Sequence, residues 1–154
     1  MPRSAGLQLV GPVACEALVV TTMGWPYPFK QRPWEELDDE FASWASTHPE
    51  FRHMWAIVSS VREVGAQDVL AAFASMHDLM VRATPLPDPP YDLVAVRAPD
   101  SLAKVTSGTV LIEHLSVTGR NDRIERPVDD AVPLFWRFMI EKFGIDPETP
   151  LAPS

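Results

Sequence analysis

Four side chains carry the types that acid–base chemistry needs: His77, Asp78, Glu113 and His114. His77 falls on the same helical stripe as Phe73 and Val81, so a helix there would turn it inward. His114 alternates with Val110 and Ile112, while Glu113 points to the other face of the same strand. If that strand packs on that helix, His77 and His114 approach each other, with Asp78 or Glu113 nearby, in a crude proton-transfer pocket. The opposing expectation for His77 is a hydrogen-bonded core histidine. No G-x-S-x-G, phosphate-binding loop or G-x-G-x-x-G occurs. The histidines lack the i, i+4 spacing of a zinc helix and there is one cysteine, so neither a metal nor a cofactor is expected.

A second group of residues suits recognition. Residues 34–50 hold six acids and no lysine or arginine. Glu36, Asp39 and Glu40 lie between Trp34 and Trp44, and the preceding loop carries Trp25 and Tyr27. Aromatic anchors within a charged rim are what protein-binding surfaces use, and such a field steers a basic partner. The simpler expectation is a solvated helix start favoured by the helix dipole. Arg120, Arg123 and Arg126 form a basic counterpart, interleaved with Asp122 and Glu125.

The elements that must position these groups are marked by hydrophobic rhythm. Trp34–Thr47 reads as a helix with Trp34, Leu37, Phe41 and Trp44 on one stripe, stopped by His48-Pro49. Glu50–Glu63 reads as a second helix closed by Gly65, and Ala66–Arg82 as a third, with Leu70, Phe73, Met76 and Met80 on its face. The segment Pro85–Pro90 is a stiff connector. Leu93–Arg97 and Thr109–Thr118 read as strands, the latter joined to Arg123–Arg126 through the turn residues Gly119–Asp122. The last helix spans Leu134–Phe143 and is apolar almost all round. That surplus predicts burial on two sides, in the core or against a second copy, with Phe135, Trp136 and Met139 at a homodimer interface. Ala14–Thr22 is a plausible strand, residues 1–12 read as irregular, and 146–154 as a Pro-rich tail. The pattern predicts an α+β fold, a single domain over 1–154, in which an N-terminal helical block packs on a small, mainly antiparallel sheet with a C-terminal helix.

Composition limits the setting. Net charge is −8 and the pI about 4.9, which disfavours nucleic acid and anionic membranes as partners. No stretch has the ~20 apolar residues of a membrane span. Cys15 allows no internal disulfide, which suits the cytoplasm. Ten arginines against three lysines, with 16 prolines, hint at a GC-rich bacterial genome. The expectation is a non-enzymatic interaction module (inhibitor, immunity-type protein or assembly adaptor) using the acidic, aromatic-flanked helix face to hold a partner with a basic patch. The alternative is a small enzyme or small-molecule binder built on His77 and His114.

Overall fold

The computed structural model describes residues 24–148. Cys15, the segment Ala14–Thr22, residues 1–12 and the last residues of the expected tail lie outside the described residues. Helix α1 spans Trp34–Thr47 and begins after Pro33, with Glu35 and Glu36 in its first turn. His48 adopts φ −132° and ψ 89°, the extended conformation forced on a residue before proline, and ends the helix. A short 3-10 turn, Pro49–Phe51, leads into α2, Arg52–Glu63. Gly65 follows with φ 76° and reverses the chain.

The expected third helix at Ala66–Arg82 is instead a β-hairpin. Strands β1 (Leu70–Ser75) and β2 (Asp78–Ala83) pair in register from Leu70↔Ala83 to Ser75↔Asp78. Both faces of this segment are apolar, so its side chains satisfy period 2 and period 3.6 alike. Met76 and His77 form a two-residue turn, and neither residue signals one. Strands β3 (Leu93–Arg97), β4 (Thr109–Leu115) and β5 (Asp122–Pro127) complete an antiparallel meander in chain order. Helix α3, Ala131–Phe143, then returns to pack on α2, β4 and β5. Gly144 closes it with φ 70°. The architecture is the expected α+β one: helices, then sheet, then a C-terminal helix.

The core lies between the helices and one face of the sheet. Leu37, Phe41, Met54, Ile57, Val58 and Val61 meet Leu79, Val81, Val94, Val96, Val110 and Ile112, all at 0% exposure. The other face carries a smaller cluster, Met80, Tyr91, Leu93 and Ala95, with Trp25, Phe29, Phe73 and Leu115 against it. Gly24 lets the aromatic segment cross here: a Cβ at this position would meet the Tyr91 carbonyl oxygen at 2.8 Å. The hydrogen bond from Trp25 N–H to that same oxygen, 2.8 Å, holds the crossing.

The α3 surplus is absorbed by this chain. Phe135, Trp136 and Met139 are 0–5% exposed, and Trp136 Nε1 donates to Ser60 Oγ at 3.0 Å. These three side chains are therefore core residues rather than the homodimer anchors expected. A terminal helix can be buried on two sides when it lies across both the helical layer and the sheet. Among its large apolar residues Ile140 is exposed, at 45%.

Candidate functional site

The site is built at the β1–β2 turn. Met76 has φ 50° and His77 φ 80°, a left-handed pair of the kind that two-residue hairpins need and that Asn-Gly normally supplies. Side chains in that region cost about 1–2 kcal/mol per residue. The only other non-glycine residue with positive φ among the described residues, Lys104 at 59°, lies in the loop facing this turn. Backbone strain is thus concentrated at one end of the sheet.

Immediately after the turn, Asp78 is buried and fully engaged. Its Oδ1 accepts the Ala98 N–H at 2.7 Å, and its Oδ2 accepts from Ser101 Oγ and Arg97 Nη1, both at 3.0 Å. Arg97 Nε reaches Glu113 Oε2 at 2.6 Å. The register explains the convergence. Asp78 opens β2, Arg97 closes β3 and Glu113 pairs with Ala95, so all three project from the face opposite the helices. Burial opposes the Arg97 charge, but the hydrogen bonds and charges of Glu113 and Asp78 outweigh it and raise the guanidinium pKa. The ion cluster fastens the loop after β3 to the sheet. Ser101 Oγ in turn accepts the Ala103 N–H at 3.1 Å.

His77 lies on the rim. Its Nδ1 is 2.9 Å from Asp100 Oδ2, and its ring packs on Trp44 (centroids 4.5 Å apart) and Phe51 (5.5 Å). The turn and the fastened loop enclose an open cleft of about 600 Å³, with Trp25, Met80 and Arg97 among its walls. Two apolar side chains stand out from its margins: Met76 is 76% exposed and Leu102 86%.

The structure redistributes the expected site residues. Asp78 and Glu113 are brought together, through Arg97. His77 and His114 are not. His114 pairs with Val94 on the helix-facing side, four residues along the strands from the His77 level and two strands away. That amounts to about 13 Å along the strands and about 10 Å across them. His114 is buried, with Nε2 3.5 Å from Asp92 Oδ2. Burial lowers its pKa, with Lys142 adding to this and Asp92 opposing it. The two histidines cannot share a proton. The Ser101 hydroxyl donates to Asp78, not to His77. Among the described residues no group of three His, Cys, Asp or Glu could hold a metal.

The acidic helix face is smaller than its sequence suggests. Trp34 is 5% exposed and donates from Nε1 to the Leu70 carbonyl at 2.7 Å, so it is a core residue rather than a surface anchor. Glu36 and Glu40 both pair with Arg32, at 3.4 and 2.9 Å. Asp38 is held by Arg62 at 2.7 Å and by Trp55 Nε1 at 2.6 Å. Asp39 remains exposed without an ion pair among the described residues. Trp44 is half-buried and serves the His77 rim, while Tyr27 is 61% exposed and stacks edge-on against Trp25 at 5.8 Å.

Asp100 and Ser101 were not legible as site residues. An arginine at the end of an apolar strand, Leu93–Arg97, is the one sequence signal that a buried charge needs partners. No protein-family model, curated protein or solved structure matches the chain. Among the described residues no helix is long and apolar enough to cross a membrane.

Proposed function

We propose that this chain is a protein-interaction module and that its docking surface is the cleft at the β1–β2 turn. The observation that carries the reading is the pair Met76 and Leu102, two large apolar side chains presented to solvent from the turn and the loop that line one cleft. Exposed apolar groups over an aromatic and methionine-lined floor (Trp25, Met80) are what a partner's side chain fills. The strained turn supports the same reading, since left-handed non-glycine residues persist where surrounding structure holds them for use. The net charge of −8 favours a basic partner and speeds its encounter, although the paired acids of α1 contribute less than their number suggests. An inhibitor, an immunity-type protein or an adaptor would use such a surface, and one cysteine suits a cytoplasmic setting. The alternative, an apolar pocket worked by His77 and His114, lacks the geometry it needs.

The test is the double substitution Met76→Glu and Leu102→Glu, with wild-type and variant chains recovered from the source cells in parallel. The expected result is a specific partner retained by the wild type and lost by a variant whose circular dichroism and melting are unchanged. Recovery of the same partner in the same amount by both chains would refute the docking surface.

A further inference from the structure

The two edges of the sheet are finished differently. At the β1 edge the Arg32 N–H donates to the Ala72 carbonyl at 2.9 Å, and Trp34 Nε1 to the Leu70 carbonyl at 2.7 Å. The β5 edge, Asp122–Pro127, has no strand beyond it among the described residues, and every residue in it but Ile124 is exposed. Its phase follows from the Val128 N–H, which donates to the Gly108 carbonyl at 3.0 Å one step past the strand. Antiparallel ladders alternate. Asp122, Ile124 and Arg126 therefore turn their backbone groups towards β4, while Arg123, Glu125 and Pro127 turn theirs outward. Such a row of outward N–H and C=O groups is a template for another strand.

The side chains decide which strand. From 122 to 126 the order is Asp, Arg, Ile, Glu, Arg. A two-fold axis through Ile124, perpendicular to the sheet, sets Arg123 opposite Glu125 of a second copy and Asp122 opposite Arg126 of that copy. Each pairing joins opposite charges, and the axis repeats it. The same register lays the outward backbone of Arg123 against that of Glu125, so these residues exchange both of their hydrogen bonds. Neighbouring registers that keep the ladder fail on charge. Centring on Arg123 opposes arginine to arginine, and centring on Glu125 opposes glutamate to glutamate. The groups also have capacity to pair. Arg123 is in no ion pair among the described residues. Glu125 engages Oε2 with the Thr106 N–H at 3.0 Å and Thr109 Oγ1 at 2.7 Å, and Oε1 has no partner among the described residues. Asp122 meets Lys142 through Oδ2. Arg126 Nη1 donates to its neighbour's carbonyl, that of Glu125, at 3.1 Å. On pairing, that carbonyl takes the Arg123 N–H of the second copy and the guanidinium turns to Asp122 of that copy.

The geometry points to β5 as a self-pairing edge, through which two copies of this chain join into one continuous antiparallel sheet. Charged side chains at an edge ordinarily repel a stray strand, and here their order also selects the strand's own sequence. The inference does not depend on the docking surface proposed above, since the β1–β2 turn lies towards the other edge of the sheet. An interface of one edge strand is small, so the dimer is reversible and weakens with salt.

Sedimentation of the full chain over a concentration series tests this. The mass should rise from 17.1 kDa towards twice that value, and added salt should shrink the rise. Arg123→Glu sets carboxylates opposite each other at both symmetry-related pairs, and Glu125→Arg does the same with guanidinium groups. Each variant alone should self-associate about tenfold more weakly than the wild type, or weaker still. The decisive arm mixes the two variants. Every one of these pairs then joins opposite charges again, so a mixed dimer about as tight as the wild-type one should form. Ile124→Cys in a Cys15→Ser background keeps the claim testable if the Glu125 variant folds poorly. Residues opposite at a non-hydrogen-bonded pair have Cα atoms about 4.5 Å apart, so mild oxidation should link two copies. A wild-type chain that stays monomeric up to about 1 mM would overturn the self-pairing edge. So would single variants that associate like the wild type, a mixture no tighter than either variant alone, or an Ile124 variant that does not cross-link.

Discussion

The two ends of the sheet differ in almost every property that decides what a surface can do. At the end that holds His114, most polar groups are paired, although Arg82 Nε is buried without a hydrogen-bond partner among the described residues. Asp92 accepts the Val117 N–H at 2.7 Å and faces His114, Lys142 pairs with Asp122, and Arg82 stacks over Tyr91 at 5.7 Å. Helix α3 closes this end. At the opposite end His77 stands on a strained turn beside an open cleft, flanked by exposed Met76 and Leu102. The same residue type, histidine, is a buried structural group in one place and a rim residue in the other. Neighbours and closure decide its role, and spacing in the sequence does not.

The largest effect is expected from the ion cluster beneath the open end. Arg97→Met should leave Asp78 and Glu113 buried without their cation, and destabilise the fold by about 3–5 kcal/mol in urea unfolding. A loss below about 1 kcal/mol would show that water reaches these carboxylates. The closed end provides its own control: Lys142→Met removes a surface pair with Asp122 and should leave urea unfolding close to that of the wild type.

The next effect is a pH dependence. The pKa values of His53 and His114 are lowered in the folded chain, so the unfolded chain binds more protons over the intervening range. Stability should be fully present above about 6.5, the unfolded value, and should fall as the pH drops towards 4, the folded value for His53. The acid-side loss should amount to roughly 1–3 kcal/mol for His53. Replacing His53 with Gln should flatten that part of the stability curve. A curve of unchanged slope would contradict the burial assigned to His53.

A smaller effect is expected at the turn. Met76→Asn places a residue that tolerates left-handed backbone where φ is 50°, and should raise stability by about 1 kcal/mol while weakening partner binding. Stability gained without any loss of binding would detach the strain from the docking surface. The smallest effect concerns α1. Asp39→Lys should change stability by less than about 0.5 kcal/mol but slow association with a basic partner. An unchanged on-rate and salt slope in stopped-flow would assign that acid to plain solvation.

The elements that were legible are those with a clear helical period or a short apolar run set off by chain breakers. The α1 stripe of Trp34, Leu37 and Phe41 is buried where it was expected, and β3 has the expected bounds, Leu93–Arg97. The hairpin was not legible, because β1 is alanine-rich and apolar on both faces, and Met76-His77 lacks the glycine or asparagine that marks a turn. That single misreading hid the site. The convergence of Asp78, Arg97 and Glu113 depends on the register of three strands, and the turn sets the register. Trp25, Tyr27 and Trp44 were expected as recognition aromatics together with Trp34, and nothing in the residue types marked Trp34 as the one whose indole N–H the Leu70 carbonyl takes.

The central claim is that partner contact is confined to the open end. Its most direct measurement is in-cell photo-crosslinking with the probe placed in turn at Met76, Leu102, Val117 and Ile140, all exposed side chains. Probes at Met76 and Leu102 should label one and the same protein, and probes at Val117 and Ile140 should not label it. Labelling of that protein from Val117 or Ile140, with none from Met76 and Leu102, would contradict the account.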